Sequence, residues 1–385
     1  MDALTALLAR LLLILPLILA GCVAPEDQEA ARVLRDIAAG PYPSELKETT
    51  PRPERITQPF TVEGRQSIGD LYRPLQPVGA PLVLVPGLSP DGKDDARLVA
   101  LAETLARARF LVLVPDLEAA RQLKISLDDA RTIGDAAIHL ARLTRADGFA
   151  GVGIAAISYA VGPAMIAALD PRVSPHVSFV LGLGGYYDSE HMMTFLTTGF
   201  YREPGGGIWR RHRTNPAGMW VFVLSNLDRI ENPQDRRRLQ TMAERRLADA
   251  DAPIADLAAG LGREGRAVYA LLANRDPDKV PGLLAALPAP IRHDLDALSL
   301  NNYDLTPLSG RAILIHGEDD PVIPYTESEE LARAIGKAEL FLVPGFSHVD
   351  RTAVGPAGQL VLMRAMRALL DRRRPLKLAD ATAAR

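Results

Sequence analysis

The stretch IAAISYAVG, Ile154–Gly162, decides how the rest of the chain is read. Its first residues continue a short apolar run, VGIAAI from Val152, of the length and type that form a buried strand. Pro163 follows directly. A proline deep inside a helix costs about 3 kcal/mol or more, so the next helix has to begin just before it. The chain therefore turns from strand to helix on Ser158 itself. Backbone segments crowd together at such a turn, which requires small residues two positions away on either side. Ala156 and Ala160 meet that condition. A serine so placed is either an exposed nucleophile or the N-cap of an ordinary strand-to-helix unit. The rest of the chain has to choose.

The same pattern repeats on both sides. PLVLVPG (Pro81–Gly87), FLVLVPD (Phe110–Asp116) and VSFVLGLGG (Val177–Gly185) are continuous apolar runs, with helical spacing in the segments between them. Short buried strands alternating with helices predict an α/β protein: a mostly parallel sheet with helices on both faces. A hairpin, ITQPFTVEGR and QSIGDLYRP with its turn at Gly64, leads into it. Between Asp188 and Asp304 the rhythm becomes helical. Asn232-Pro233 reads as an N-cap with proline at the first helical position, and Leu239, Met242, Ala243 and Leu247 share one face. The sheet resumes with RAILIHG and AELFLVP, and Thr326 and Glu329 between them are spaced as a capping box.

Composition narrows the function. The 385 residues carry 44 Lys and Arg against 47 Asp and Glu, a net charge of -3, which indicates neither a nucleic-acid partner nor a polybasic membrane patch. WRRHR and DRRR therefore read as solvated faces. No CxxC, no HExxH and no phosphate-loop GxxxxGK followed by Ser or Thr occurs (Gly87–Lys93 is followed by Asp94), so no cofactor and no metal are implied. Asp91, Asp94 and Asp95 read as a hydrophilic turn before a helix. The single cysteine, Cys22, excludes an internal disulfide framework. Before it stand Arg10 and the apolar run Leu11–Ala20, interrupted by Pro16. That run is about half of the ~20 residues a membrane span needs, and a secretory signal fits better.

Two resemblances follow. LAGC, Leu19–Cys22, resembles the lipobox of bacterial lipoproteins. It implies removal of residues 1–21, acylation of Cys22, and a place in the bacterial cell envelope, lipid-anchored to a membrane. Residues 22–55, polar and proline-rich, are expected to be a flexible tether with one short amphipathic turn in AARVLRDIAA. Residues 374–385 are expected to be a loose tail. The order of Ser158, an acid after a later strand, and His348 after the last strand is similar to that of the α/β-hydrolase superfamily. Four segments carry the likeness: PGLSPDG (Pro86–Gly92), AISYA, HGEDDPVIP (His316–Pro324) and PGFSHVD (Pro344–Asp350).

That resemblance implies an α/β-hydrolase fold over residues 56–187 and 306–373, with a helical cap, 188–305, inserted after the sixth strand. It implies Ser158 as nucleophile, His348 as base and Asp320 as the acid, with Asp319 and Asp188 as alternatives. The backbone N–H groups of Leu88 and Tyr159 would form an oxyanion hole. Met192, Met193 and Phe195 are candidate contacts for an apolar acyl or alkyl group, or else cap core. The implied activity is cleavage of a carboxylic ester or thioester of a small molecule. Two departures stand: alanines replace the usual glycines around Ser158, and Pro86 stands where relatives often have histidine. They motivate a rival, an inactive envelope binding or assembly factor. Thioesterase, peptidase and acyltransferase share the same triad.

Overall fold

The computed structural model describes residues 24–348 and 354–374. The signal sequence expected over residues 1–21, Cys22 and the tail from 375 lie outside them. Eight strands form one sheet: β1 (Glu54–Val62), β2 (Arg65–Arg73), β3 (Ala80–Val85), β4 (Phe110–Pro115), β5 (Val152–Ile157), β6 (Val177–Leu183), β9 (Ala312–Gly317) and β10 (Ala338–Val343), in the order β1-β2-β4-β3-β5-β6-β9-β10. β2 runs antiparallel to both its neighbours, and every pair from β4 to β10 is parallel.

Alternation along a strand sends successive side chains to opposite faces, and two apolar layers result. Val83 and Val85 join one core with the helices Asp128–Thr144 and Val161–Leu169. Leu82 and Leu84 join the other with the helices Ala96–Arg107 and Pro356–Leu370. Burial on both faces is why β3 and β4 read as unbroken apolar runs. The chain steps from β3 to β4 on one side and returns to β5 on the other. Parallel strands end at one rim, and the crevice of such a sheet opens where the strand order reverses. The segments after β3, β5, β9 and β10 all leave from that rim.

Between β6 and β9 the chain builds a separate apolar cluster, with Met193, Trp220, Leu239, Met242 and Leu271 at its centre. Its helices run from Ser189–Thr198 to Ala289–Leu298. A hairpin of β7 (Phe200–Tyr201) and β8 (Arg210–Arg211) interrupts them, too short to leave a period in the sequence. The Asn232 side chain accepts from the Gln234 and Asp235 amides, with Pro233 first in the helix, as the sequence indicates.

Two expectations fail. Within the expected tether, residues 22–55, a fifteen-residue helix, Pro25–Ala39, forms instead of a flexible segment and packs on the closing helix. Ala30 and Val33 are fully buried there. Asp36, also buried, accepts from Thr104 Oγ1 at 2.6 Å and Lys47 Nζ at 2.5 Å, and Arg373 grips Glu29 with two bonds of 2.8 Å. Proline and charge suggested a free segment. Ala30, Val33, Leu34 and Ile37, however, form a stripe at helical spacing. The capping box is also absent: Tyr325 precedes the helix Thr326–Ile335 with no side-chain cap, and Thr326 is buried. Among the described residues no helix is long and apolar enough to cross a membrane.

Val33→Asp would place an unpaired charge beneath the first helix. The expected loss is roughly 3–5 kcal/mol, seen as a lower urea midpoint. An unchanged midpoint would show that this helix contributes nothing to the fold.

Candidate active site

Ser158 directly follows β5 and has φ +57°. A side chain in that region costs of order 1–3 kcal/mol and persists only where its surroundings enforce it. Here they do. Ala156 and Ala160 are fully buried in the core, so each methyl that replaces a glycine hydrogen has a packing site. The helix begins at Val161, which puts Pro163 in its first turn and forces the bend onto the serine. Gly87 supplies the remaining space. A Cβ there would stand 3.3 Å from the Ile157 carbonyl oxygen and 3.4 Å from Ser158 Cβ, so the loop after β3 lies against the turn. Leu88 comes next, and its amide donates to no backbone acceptor among the described residues.

His348 Nε2 is 2.7 Å from Ser158 Oγ, and its Nδ1 is 2.6 Å from Asp320 Oδ2. A carboxylate only accepts, so the Nδ1 proton sits between ring and acid and leaves Nε2 to accept from the hydroxyl. The loops after β9 and β10 meet because Gly317 has no side chain: a Cβ would stand 1.9 Å from the Phe346 carbonyl oxygen. Asp320 is only 2 % exposed. Burial raises a carboxyl's pKa, but the bonds from His316 and His348 outweigh it and hold Asp320 well below the usual carboxylate range. Its Oδ1 also accepts from the Val322 and Ile323 amides at 2.7 and 3.0 Å.

The rival acids are occupied elsewhere. Asp319 accepts from the Gly345 amide at 3.1 Å. Asp188 caps the helix Ser189–Thr198 and accepts from Asn301 at 2.7 Å. Ser158, His348 and Asp320 thus form a continuous line of hydrogen bonds. It can take a proton from the hydroxyl and stabilise the charge the ring acquires. Asp94 pairs with Lys93 and Arg55, and Asp95 caps the helix from Ala96.

Of the two readings open for Met192, Met193 and Phe195, burial favours interior packing: Met193 and Phe195 are both 0 % exposed, Met193 lies in the separate apolar cluster, and Met192 packs partly buried against it. A pocket of about 80 Å³ does lie beside the acid loop, lined by His191, Tyr201, Glu203, Trp209, Thr326 and Glu327 among others. Ser158 and His348 are not in its wall.

Sequence reasoning missed three side chains here. Glu327 is buried and accepts from the Tyr187 and Asp188 amides at 2.9 and 2.8 Å, which ties the segment after β6 to the helix after the acid loop. It also raises the pKa of His191 to about 9 by hydrogen bonding. In the sequence it looks like any acid in a first helical turn. The Tyr159 hydroxyl accepts from the Ser126 amide at 2.7 Å and faces Asp129 Oδ2 at 3.3 Å, which moors the residue after the serine. Burial pushes Asp129 up to about 7. No local pattern announces that contact, which spans thirty residues.

No family model and no curated protein matches this sequence. Solved structures do. A presumed hydrolase from Legionella pneumophila is 14 % identical with a TM-score of 0.52, over 90 % of this chain and 96 % of the other. Acylaminoacyl peptidase from Pyrococcus horikoshii is 11 % identical with a TM-score of 0.48, over 86 % of this chain. The chain spans less than half the length of that peptidase, 43 %. A serine hydrolase from Cycloclasticus zankles is 13 % identical with a TM-score of 0.44, over 83 % of this chain and 98 % of the other.

Asp129 supplies a pH test. Its folded pKa lies above the usual 3.8, so the folded state holds a proton that the unfolded state releases between about pH 4 and 7. Stability should therefore fall as pH rises through that window. Asp129→Asn is expected to remove the fall, leaving the variant more stable than the parent at pH 8 and equal to it near pH 4. Parallel stability curves would refute the assignment.

Proposed function

We propose that this chain, whose architecture is the α/β-hydrolase fold, is a serine hydrolase that cleaves a carboxylic ester or thioester through an acyl-enzyme. One observation carries the reading: a single imidazole bonded on one side to a strained serine and on the other to a buried carboxylate. A spent binding site would have no use for that alignment, so the scaffold alternative is the weaker one.

In the proposed cycle Ser158 Oγ attacks the carbonyl carbon while His348 Nε2 takes its proton. Asp320 stabilises the imidazolium and keeps the ring in the required tautomer. The Leu88 and Tyr159 amides stabilise the oxyanion. The intermediate collapses, and His348 returns the proton to the departing alkoxide or thiolate. Water then gives a proton to His348 and attacks the acyl group, and the second collapse frees the acid and restores Ser158. Met193 and Phe195, being interior, lend no support to an apolar acyl group. We further infer that Cys22 is the acylated residue that holds the enzyme on a membrane of the bacterial envelope.

A fluorophosphonate probe is expected to label Ser158. Ser158→Ala should lose both labelling and turnover of a short activated ester, with unchanged circular dichroism. Asp320→Asn should lower kcat about 10⁴-fold by favouring the wrong tautomer. An active Ser158→Ala enzyme would end the proposal. The anchor is tested separately: Cys22→Ser should move the protein from the membrane pellet to the soluble fraction, and persistence in the pellet would refute the lipid link.

A further inference from the structure

His316, at the inner end of β9, is fully buried behind the acid and lies outside the proposed relay. Its two nitrogens have defined partners. Nδ1 is 2.7 Å from Ser328 Oγ on the helix Thr326–Ile335. Nε2 is 3.0 Å from the Ile323 carbonyl oxygen and 3.4 Å from Asp320 Oδ2. Both of those oxygens only accept, so the ring proton sits on Nε2, and Ser328 donates to Nδ1. The closer partner, Ile323, bonds to Asp320 Oδ1 through its own amide. The N–H of His316 therefore fixes the 320–323 loop and presents a positive dipole to the same oxygen that receives His348.

We infer that His316 is a positioning residue of the reaction, one that holds the acid loop and shares the Asp320 carboxylate with His348, and so sets how strongly the acid pulls on the proton of the base. The inference rests on the serine hydrolase reading. Asp320 faces two ionisable groups, His316 from β9 and His348 from the loop after β10. Glu327, next to Ser328, turns its carboxylate away to the Tyr187 and Asp188 amides and to His191. Nothing else charged competes for the acid among the described contacts.

The inference makes a prediction that a purely structural role does not. Removing the N–H strengthens the pull of Asp320 on His348 while loosening its aim. His316→Leu should lower kcat about tenfold to a hundredfold at little change in KM. It should also move the acid limb of the pH–rate profile upward, by about half a unit. His316→Gln, with a side-chain N–H of similar reach, should restore both. A folded His316→Leu whose pH profile overlays the parent's would overturn the inference, as would His316→Gln falling as far as His316→Leu.

Should His316→Leu not fold, ¹⁵N spectra of the histidines in the parent enzyme decide instead. The Nε2–H tautomer is expected for His316, with its proton resonance shifting when the fluorophosphonate occupies Ser158. An Nδ1–H tautomer would sink the idea. A parent that takes up no fluorophosphonate would refute the hydrolase reading alone, and the tautomer would still decide the place of His316.

Discussion

A carboxylate withdrawn from water stays charged only if donors replace the water it loses. Asp320 carries that constraint for the whole site. Two donors are amides of its own loop, one is the ring N–H of His348, and His316 approaches from below. Each has to arrive from a different direction. The loop must curl back to offer Val322 and Ile323, the segment after β10 must pass over Gly317, and the end of β9 must bury a histidine. With those demands met, the imidazole has one place to stand, and that place is within bonding distance of Ser158. The sheet contributes by ending parallel strands at a common rim, so that short loops suffice to bring residues 158, 320 and 348 together.

The serine side depends on strain rather than charge. A left-handed serine is unstable by itself, and the turn holds because Gly87 lets a neighbouring strand end press against it while two buried alanines fill the space around it. Two methyl groups in place of glycine hydrogens do not open the turn, since both find packing sites in the core.

Much of this was legible beforehand, for a physical reason. Buried parallel strands must be apolar along their whole length, so VLV, VLVP and GIAAI announce themselves, and residues just past such strands fall at the rim by construction. That logic marks the candidates, and the resemblance to the α/β-hydrolase order is what singles out Ser158, Asp320 and His348 among them. What escaped is what tertiary packing decides. Thr326 and Glu329 have capping-box spacing, yet the neighbouring Glu327 is the residue drawn inward, by amides from a segment 140 positions away. Met193 and Phe195 are apolar side chains on the helix Ser189–Thr198, and periodicity does not say which of two apolar surroundings such a helix will face. In the first helix, proline and charge mask the extent of a stripe of four apolar residues, of which AARVLRDIAA shows only the amphipathic character.

That first helix changes what a fatty anchor would mean. Folded chain begins within three residues of Cys22, and an extended residue spans about 3.5 Å, so the proposed attachment leaves only about 10 Å of leash. A long tether would let a globule wander far from its bilayer and sample the space around it. Such an attachment would moor this one close. It would search in two dimensions, meeting what travels along the lipid surface and little of what drifts above it.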